Sequence, residues 1–181
     1  MLESESVGMK TVSVVLRLFC LCVLALGLMM PEANAQTLNQ PKGPVVLTVS
    51  GLIGEHNAGN TAVFDLAMLK ALAQAEFATK TPWQETVSTF RGPSLQTLLA
   101  AVGATGHALR LTALDKYEAT LPLTDVKQYE PLLALQVDGK PLTVRSRGPV
   151  LVMYPFDRFP QINTDIYAGR AVWQLQRIVV E

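Results

Sequence analysis

Cysteine is nearly absent from this chain, and both of its cysteines, Cys20 and Cys22, lie close to the N-terminus. The sequence after Cys22 contains no thiol, so it forms no disulfide and supplies no thiolate nucleophile or metal ligand. This excludes cysteine proteases, thiol redox enzymes and cysteine-ligated metal sites from the region that follows the N-terminal segment.

Charged residues and histidines are also few. Only 17% of the residues are charged, 15 Lys+Arg balance 15 Asp+Glu, and 49% of the residues are hydrophobic. Nucleic-acid-binding domains need a basic excess and disordered chains have low hydrophobicity, so the composition favours a folded globular domain.

The two histidines, His56 and His107, lie in polar turn sequences and form no H-x-x-x-H pair. We therefore predict surface loop positions for them and not a metal site.

Two common catalytic signatures are missing. The sequence has neither the G-x-S-x-G elbow of many serine hydrolases nor a glycine-rich phosphate loop of the Walker or dinucleotide type. Composition alone does not exclude a Ser-His-Asp triad assembled from residues that are distant in the sequence.

The N-terminal segment has the three parts of a secretory signal peptide. Lys10 and Arg17 precede the uncharged run 18–30, and an A-x-A cleavage site follows at residues 33–35. We predict a signal peptide over 1–35, cleavage before Gln36 and a periplasmic mature protein. A membrane-spanning helix needs about twenty apolar residues, more than this run provides. A lipoprotein interpretation is weaker still, because apolar sequence continues after both cysteines.

Hydrophobic periodicity predicts two helices. One begins behind an Asp65 cap and lies within residues 64–72. The clearer one begins behind Ser94 and ends at Gly103, where glycine is the usual residue after a helix C-cap. Its apolar residues recur at positions i, i+3, i+4 and i+7 and are Leu95, Leu98, Leu99 and Val102.

Short apolar and β-branched runs predict that strands dominate. The predicted strands are 45–49, 79–81, 87–90, 109–114, 117–121, 132–137, 141–144, 150–154 and 173–180. Asp138-Gly139 predicts a tight hairpin between two of them. Because no βαβ rhythm occurs, the class is α+β, with one β-rich mixed domain over 45–181 behind an N-terminal arm over 36–44.

Aromatic residues and arginines recur at the predicted loops and strand ends. They are Trp83, Arg91, Tyr117, Arg145, Arg147, Tyr154, Arg158, Tyr167, Arg170 and Trp173. Such side chains bind planar heterocycles, because rings stack on the ligand face while guanidinium groups meet its carbonyl and nitrogen acceptors. Composition alone favours the alternative that the tryptophans are core residues and the arginines lie on a solvated face.

Several short motifs occur in an order that resembles a known family. They are Thr79–Trp83, Phe90–Leu95, Leu98-Leu99, Ala113–Tyr117, Leu121-Pro122, Leu133-Ala134, Asp138–Leu142, Gly148-Pro149, Tyr154-Pro155 and Trp173–Leu175. The sequence is similar to small exported proteins with the sulfite-oxidase-type molybdopterin-binding (SUOX) fold, and most similar to pterin-binding regulators of the PruR type. The resemblance covers nearly all of 45–181 and implies a β-rich domain with a pterin pocket at its loop ends.

The cysteine pattern departs from that of the catalytic members of this family, in which a cysteine thiolate ligates molybdenum. The segment near the expected position reads Thr81-Pro82-Trp83, and no cysteine follows Cys22. A threonine hydroxyl does not reproduce soft thiolate coordination. The resemblance therefore implies a binder that takes a pterin as ligand, without molybdenum, a metal site or catalytic residues.

The same resemblance implies six ligand-binding residues: Trp83, Tyr117, Arg145, Tyr154, Arg170 and Trp173. Trp83 would stack on the pterin or wall the pocket, Tyr117 and Tyr154 would line it, and Arg170 would face a pterin carbonyl or side-chain oxygen. Arg145 is a weaker candidate of the same kind, and Arg91 fits a surface position as well as a site.

A carboxylate would pair well with the 2-amino and N3–H edge of a pterin, because it accepts two parallel hydrogen bonds. Asp157 and Asp165 are both available for this pairing. The sequence leaves the choice between them open.

Three functions are compatible with these residues. The resemblance favours a periplasmic, non-catalytic pterin-binding protein that regulates a membrane-bound enzyme of cyclic di-GMP turnover, by docking on the enzyme's periplasmic sensor region. A molybdopterin-dependent oxidoreductase and a ligand-free adaptor with the same fold are the alternatives. All three involve neither nucleic acid nor a membrane span after cleavage.

Overall fold

The computed structural model describes residues 38–181, in which short strands alternate with a few short helices. The strands are β1 Val45–Gly51, β2 Ala62–Asp65, β3 Gln74–Thr81, β4 Gln84–Pro93, β5 Ala108–Ala113, β6 Glu118–Pro122, β7 Leu132–Ala134, β8 Gln136–Val137, β9 Lys140–Pro141, β10 Leu151–Met153 and β11 Leu175–Val180. The α-helices are α1 Leu66–Ala71, α2 Leu95–Ala101, α3 Leu123–Tyr129 and α4 Asp165–Arg170, and 3₁₀ turns cover Val144–Ser146 and Pro160–Ile162. The predicted signal peptide lies outside the described residues.

A five-stranded sheet in the order β2-β1-β11-β5-β6 ties the two ends of the domain together. β1 runs parallel to β11, and the other neighbours are antiparallel. Leu47 and Val49 of β1 and Ile178 and Val180 of β11 are buried in the core. Alternate residues of a strand share one face, so these β-branched and leucine side chains form the apolar face of the sheet.

A second, antiparallel sheet in the order β3-β4-β8-β9 is built on the long β3–β4 hairpin. The short pair β7–β10 lies beside it, and the Leu135 N–H donates to the Arg91 carbonyl. Gly92 permits this approach, because a Cβ at that position would collide with the carbonyl oxygen of Leu133. The glycine of the Phe-Arg-Gly motif is therefore a packing requirement.

The predicted α+β class and most predicted elements are confirmed. Asp65 and Ser94 cap α1 and α2 through their side chains, and Gly103 has a positive φ of 58° after the C-cap of α2. β8 and β9 form the hairpin that Asp138-Gly139 predicts.

Some boundaries were wrong. The single strand predicted over 132–137 is interrupted at Leu135, and the strand predicted over 141–144 gives way to the 3₁₀ turn. Trp173 precedes β11 and does not belong to it. Each difference lies where the chain changes sheet or wraps the site, so that tertiary contacts override local pattern.

Three elements lack a strong local signal and were not predicted. β2 is only four residues long, α3 has no side-chain cap bond, and α4 has no buried residue of its own. α3 is held instead by burial of Asp125, Val126 and Tyr129. No helix within residues 38–181 is long and apolar enough to cross a membrane.

Asp65 joins the N-terminal arm to α1. Its Oδ1 accepts the Met68 N–H at 2.8 Å, and its Oδ2 accepts the Lys42 and Gly43 N–H groups at 2.8 Å each. These bonds favour the ionised carboxylate and lower the pKa of Asp65 below its usual value of 3.8. The stabilisation is therefore complete above the unfolded-state pKa and is lost as pH falls through the lower folded-state pKa.

We expect Asp65→Asn to lower the free energy of unfolding at about pH 7, with the difference from wild type shrinking towards about pH 3. The reason is that only the wild-type side chain loses its charge over this range. Urea unfolding at both pH values measures the effect, with Asp165→Asn as control, since no side-chain cap bond forms at α4. A difference that does not change with pH would contradict this role of Asp65.

Candidate ligand-binding site

The β3–β4 hairpin places hydroxyl groups where a core would ordinarily have apolar side chains. Five polar or charged residues are buried within 38–181, and three of them, Thr79, Thr81 and Ser88, lie on this hairpin. Thr79 lies opposite Ser88 in the strand register, and the exposed Lys80 separates the two threonines. One face of the hairpin is therefore buried and polar.

Thr81 and Ser88 line a pocket of about 300 Å³, which we call the hydroxyl pocket. Its lining residues are Thr81, Trp83, Gln84, Thr86, Ser88, Phe90, Val137, Leu142, Arg145, Ser146, Arg147 and Leu151. Thr79 does not line this pocket, and its Oγ1 donates to the Lys80 carbonyl at 2.8 Å and accepts the Asp157 N–H at 3.0 Å. Thr81 Oγ1, in contrast, is buried without a hydrogen-bond partner in the described part of the chain.

A second pocket, of about 240 Å³, also borders Trp83, and we call it the tryptophan slot. Its lining residues are Trp83, Ala113, Asp115, Tyr117, Ala168, Gly169, Ala171, Val172, Trp173 and Gln174. Tyr117 and Trp173 are 48% and 40% exposed, so part of each side chain is accessible to a ligand. The Asp115 carboxylate accepts the Tyr117 N–H at 2.9 Å and is exposed at the slot.

Trp83, Arg147 and Trp173 meet at the boundary between the two pockets, the two indoles edge to face. The indole centroids of Trp83 and Trp173 are 5.4 Å apart at an interplanar angle of 71°. The Arg147 guanidinium carbon lies 4.3 Å from the Trp173 ring centroid and 5.6 Å from that of Trp83. Flat faces and a guanidinium group suited to a planar heterocycle are therefore brought together here.

Four of the six predicted site residues line these pockets. Trp83 borders both, Tyr117 and Trp173 border the tryptophan slot, and Arg145 borders the hydroxyl pocket. Tyr154 and Arg170 border neither of them.

Tyr154 is fully buried in an aromatic cluster. Its ring lies 6.5 Å from Tyr129, 5.6 Å from Tyr167 and 6.1 Å from Phe156, and its hydroxyl donates to Asp125 Oδ2 at 3.5 Å. Burial and, to a smaller extent, the charge of Asp125 raise the pKa of the Tyr154 phenol far above its usual value. Tyr154 thus stays neutral and supports the wall behind the site.

Arg170 donates to Asp125 Oδ2 at 2.7 Å, in an ion pair whose side chains are 22% and 8% exposed. The pair joins α4 to α3, and the Tyr117 hydroxyl fixes the same helix by donating to the Gly169 carbonyl at 3.0 Å. Because α4 carries Ala168 and Gly169 into the tryptophan slot, Arg170 positions one wall of that slot.

Sequence reasoning did not single out Thr81 or Asp115 as ligand contacts, and it left Arg147 out of the site. The two carboxylates considered line neither the hydroxyl pocket nor the tryptophan slot: Asp157 accepts the Lys80 N–H at 2.8 Å, and Asp165 is exposed at the start of α4. The sequence signal that could have revealed Thr81 is its spacing of two from Thr79, which places both hydroxyls on the same face of a strand. Asp115 and Arg147 gave no such signal, because their positions depend on turns.

The other candidates lie outside both pockets. Arg91 is exposed on β4, and His56 and His107 are exposed in loops, as predicted for the histidines. Residues 38–181 contain no cluster of three His, Cys, Asp or Glu side chains that could hold a metal ion.

The sequence profile of the oxidoreductase molybdopterin-binding domain matches residues 47–159, which include all but the first two residues of β1 and all of β2 to β10. The chain belongs to this molybdopterin-binding domain family.

A solved structure shares this fold. The domain resembles the sulfane dehydrogenase SoxCD from Paracoccus pantotrophus with a TM-score of 0.58 and 16% sequence identity, over 74% of this chain and 37% of that one. At this identity the likeness concerns the fold alone, and this chain spans little more than a third of the length of that dehydrogenase chain. No curated protein matches the chain in a sequence comparison.

The donor set of the two pockets fits a pterin but not a thiolate-ligated molybdenum. No cysteine lines either pocket, and both cysteines of the chain precede residue 23. The hydroxyl of Thr81 does not replace a soft thiolate ligand. The indoles, the guanidinium groups and the unpaired Thr81 hydroxyl nevertheless suit a flat, hydrogen-bonding heterocycle.

Proposed function

We propose that this member of the molybdopterin-binding domain family is a periplasmic, non-catalytic pterin-binding protein of the PruR type. In this proposal it regulates a membrane-bound enzyme of cyclic di-GMP turnover. The observation that carries the binding role is the position of Trp83, which borders both pockets and meets Trp173 and Arg147 at their boundary.

The tryptophan slot is the better place for the pterin ring system. It offers aromatic faces from Trp83, Trp173 and Tyr117, and a carboxylate at Asp115. A carboxylate accepts two parallel hydrogen bonds from the 2-amino and N3–H edge. This assigns to Asp115 the role for which sequence alone offered Asp157 or Asp165.

The proposed export to the periplasm and the proposed partner are inferred from the sequence. The basic residues, apolar run and A-x-A site before Gln36 support secretion to the periplasm. A partner that responds to the pterin must bind the pterin-bound and the pterin-free protein with different affinities. If both forms bound the partner equally well, the pterin would not change how much complex forms. Leu114, which is 46% exposed between the slot-lining residues Ala113 and Asp115, offers such a partner an apolar contact near the ligand.

The test is binding of an oxidised and a reduced pterin to the processed protein purified from the periplasm, by calorimetry, with molybdenum content measured on the same sample. We expect saturable binding near one ligand per chain without stoichiometric molybdenum. Failure to bind any pterin would overturn the proposal and favour the adaptor function.

An oxidoreductase is the second candidate, because the family profile carries that description and the similar solved structure is a dehydrogenase. It predicts molybdenum near unit stoichiometry in protein from the native host. That result would replace the binding-protein proposal.

A further inference from the structure

Thr81 Oγ1 is a polar atom that the fold itself leaves unused. Thr81 is 9% exposed, it lines the hydroxyl pocket, and its hydroxyl has no partner in residues 38–181. A buried hydroxyl without a partner destabilises a protein, whereas a valine of the same shape would not. The Thr81 hydroxyl is therefore available to hydrogen-bond to a ligand that enters the pocket.

The surroundings of Thr81 indicate the chemistry of that group. The neighbouring buried polar side chain at the pocket floor is the Ser88 hydroxyl, and the charged groups, Arg145 and Arg147, lie towards the rim. Gln84, Thr86 and Ser146 add uncharged hydrogen-bonding groups at the opening. An apolar group would leave Thr81 unpaired, and a group with its own donors and acceptors would not.

We propose, on the basis of the proposed function, that the hydroxyl pocket takes a hydroxylated side chain of the pterin and that Thr81 hydrogen-bonds to it. The ring occupies the tryptophan slot, and the side chain passes Trp83, which borders both pockets. Thr81 is then a specificity residue, because it favours pterins with a hydroxylated side chain over pterins without one.

Two probes and one near-isosteric substitution test the assignment. Neopterin carries a trihydroxypropyl side chain, and 6-methylpterin has the same ring with a methyl group in its place. We expect Thr81→Val to weaken neopterin binding about tenfold, the loss typical of one buried hydrogen bond, and to change 6-methylpterin binding less than about twofold. The same variant should raise the melting temperature of the ligand-free protein by about 3 °C, because it removes an unpaired buried hydroxyl.

Two further variants separate recognition from folding. Thr81→Ser keeps the hydroxyl and should retain the preference for neopterin. Thr89→Val makes the matched change on β4 at a residue that lines neither pocket and should leave both affinities unchanged. Equal losses for the two probes in Thr81→Val, or no loss for either, would overturn the role of Thr81 while leaving pterin binding intact. If the wild type binds neither probe, the proposed function itself fails, and the side-chain assignment falls with it.

Discussion

Replacing Trp83 by alanine should lower the affinity for pterin roughly 100-fold, since stacking of one heterocycle on an aromatic side chain contributes about 1–3 kcal/mol and Trp83 borders both pockets. The loss should exceed that of any other single stacking residue, because Trp83 also holds Trp173 and Phe156 through edge contacts at 5.4 and 6.4 Å. Calorimetric titration of the purified variant measures it.

Trp83→Phe is the matched control for this prediction. It keeps an aromatic face at the turn between β3 and β4 and should retain binding within about tenfold of wild type. Thermal unfolding of both variants shows whether the domain remains folded. A folded Trp83→Ala protein that binds pterin as well as wild type would refute the role of Trp83.

Arg170→Met should lower the free energy of unfolding by roughly 3 kcal/mol, because it leaves the carboxylate of Asp125 buried without its cation. The Tyr154 hydroxyl, at 3.5 Å, is too distant to compensate for a lost 2.7 Å charged hydrogen bond. Chemical denaturation measures the difference. This effect is on stability, because Arg170 lies beside the slot and holds α4 in place.

The double variant Asp125→Leu/Arg170→Met is the control for the ion pair. Removing both charges leaves no unpaired carboxylate, so most of the lost stability should return. A double variant no more stable than Arg170→Met would contradict the explanation by an unpaired charge. Pterin affinity measured on the folded double variant also separates the two roles considered for Arg170, since direct contact with the ligand predicts a loss that restored folding does not repair.

The sequence by itself determined the α+β class, helix α2 with its Ser94 cap, the Asp138-Gly139 hairpin and the lack of a thiolate after Cys22. These features depend on hydrogen bonds and apolar spacing within a few residues, which a linear pattern contains. The order of the short motifs identified the family in the same way.

Only the tertiary structure decided which residues meet. Strand register and sheet order bring Trp83 against Trp173 and pair Arg170 with a carboxylate 45 positions away. They also leave Thr81, which lines the hydroxyl pocket, without a hydrogen-bond partner for its Oγ1 among residues 38–181. No local pattern encodes these contacts, because each depends on how separate elements pack around a common core. The same packing places Tyr154 in the core behind the site, although its type and its position near a strand end are equally typical of a ligand contact.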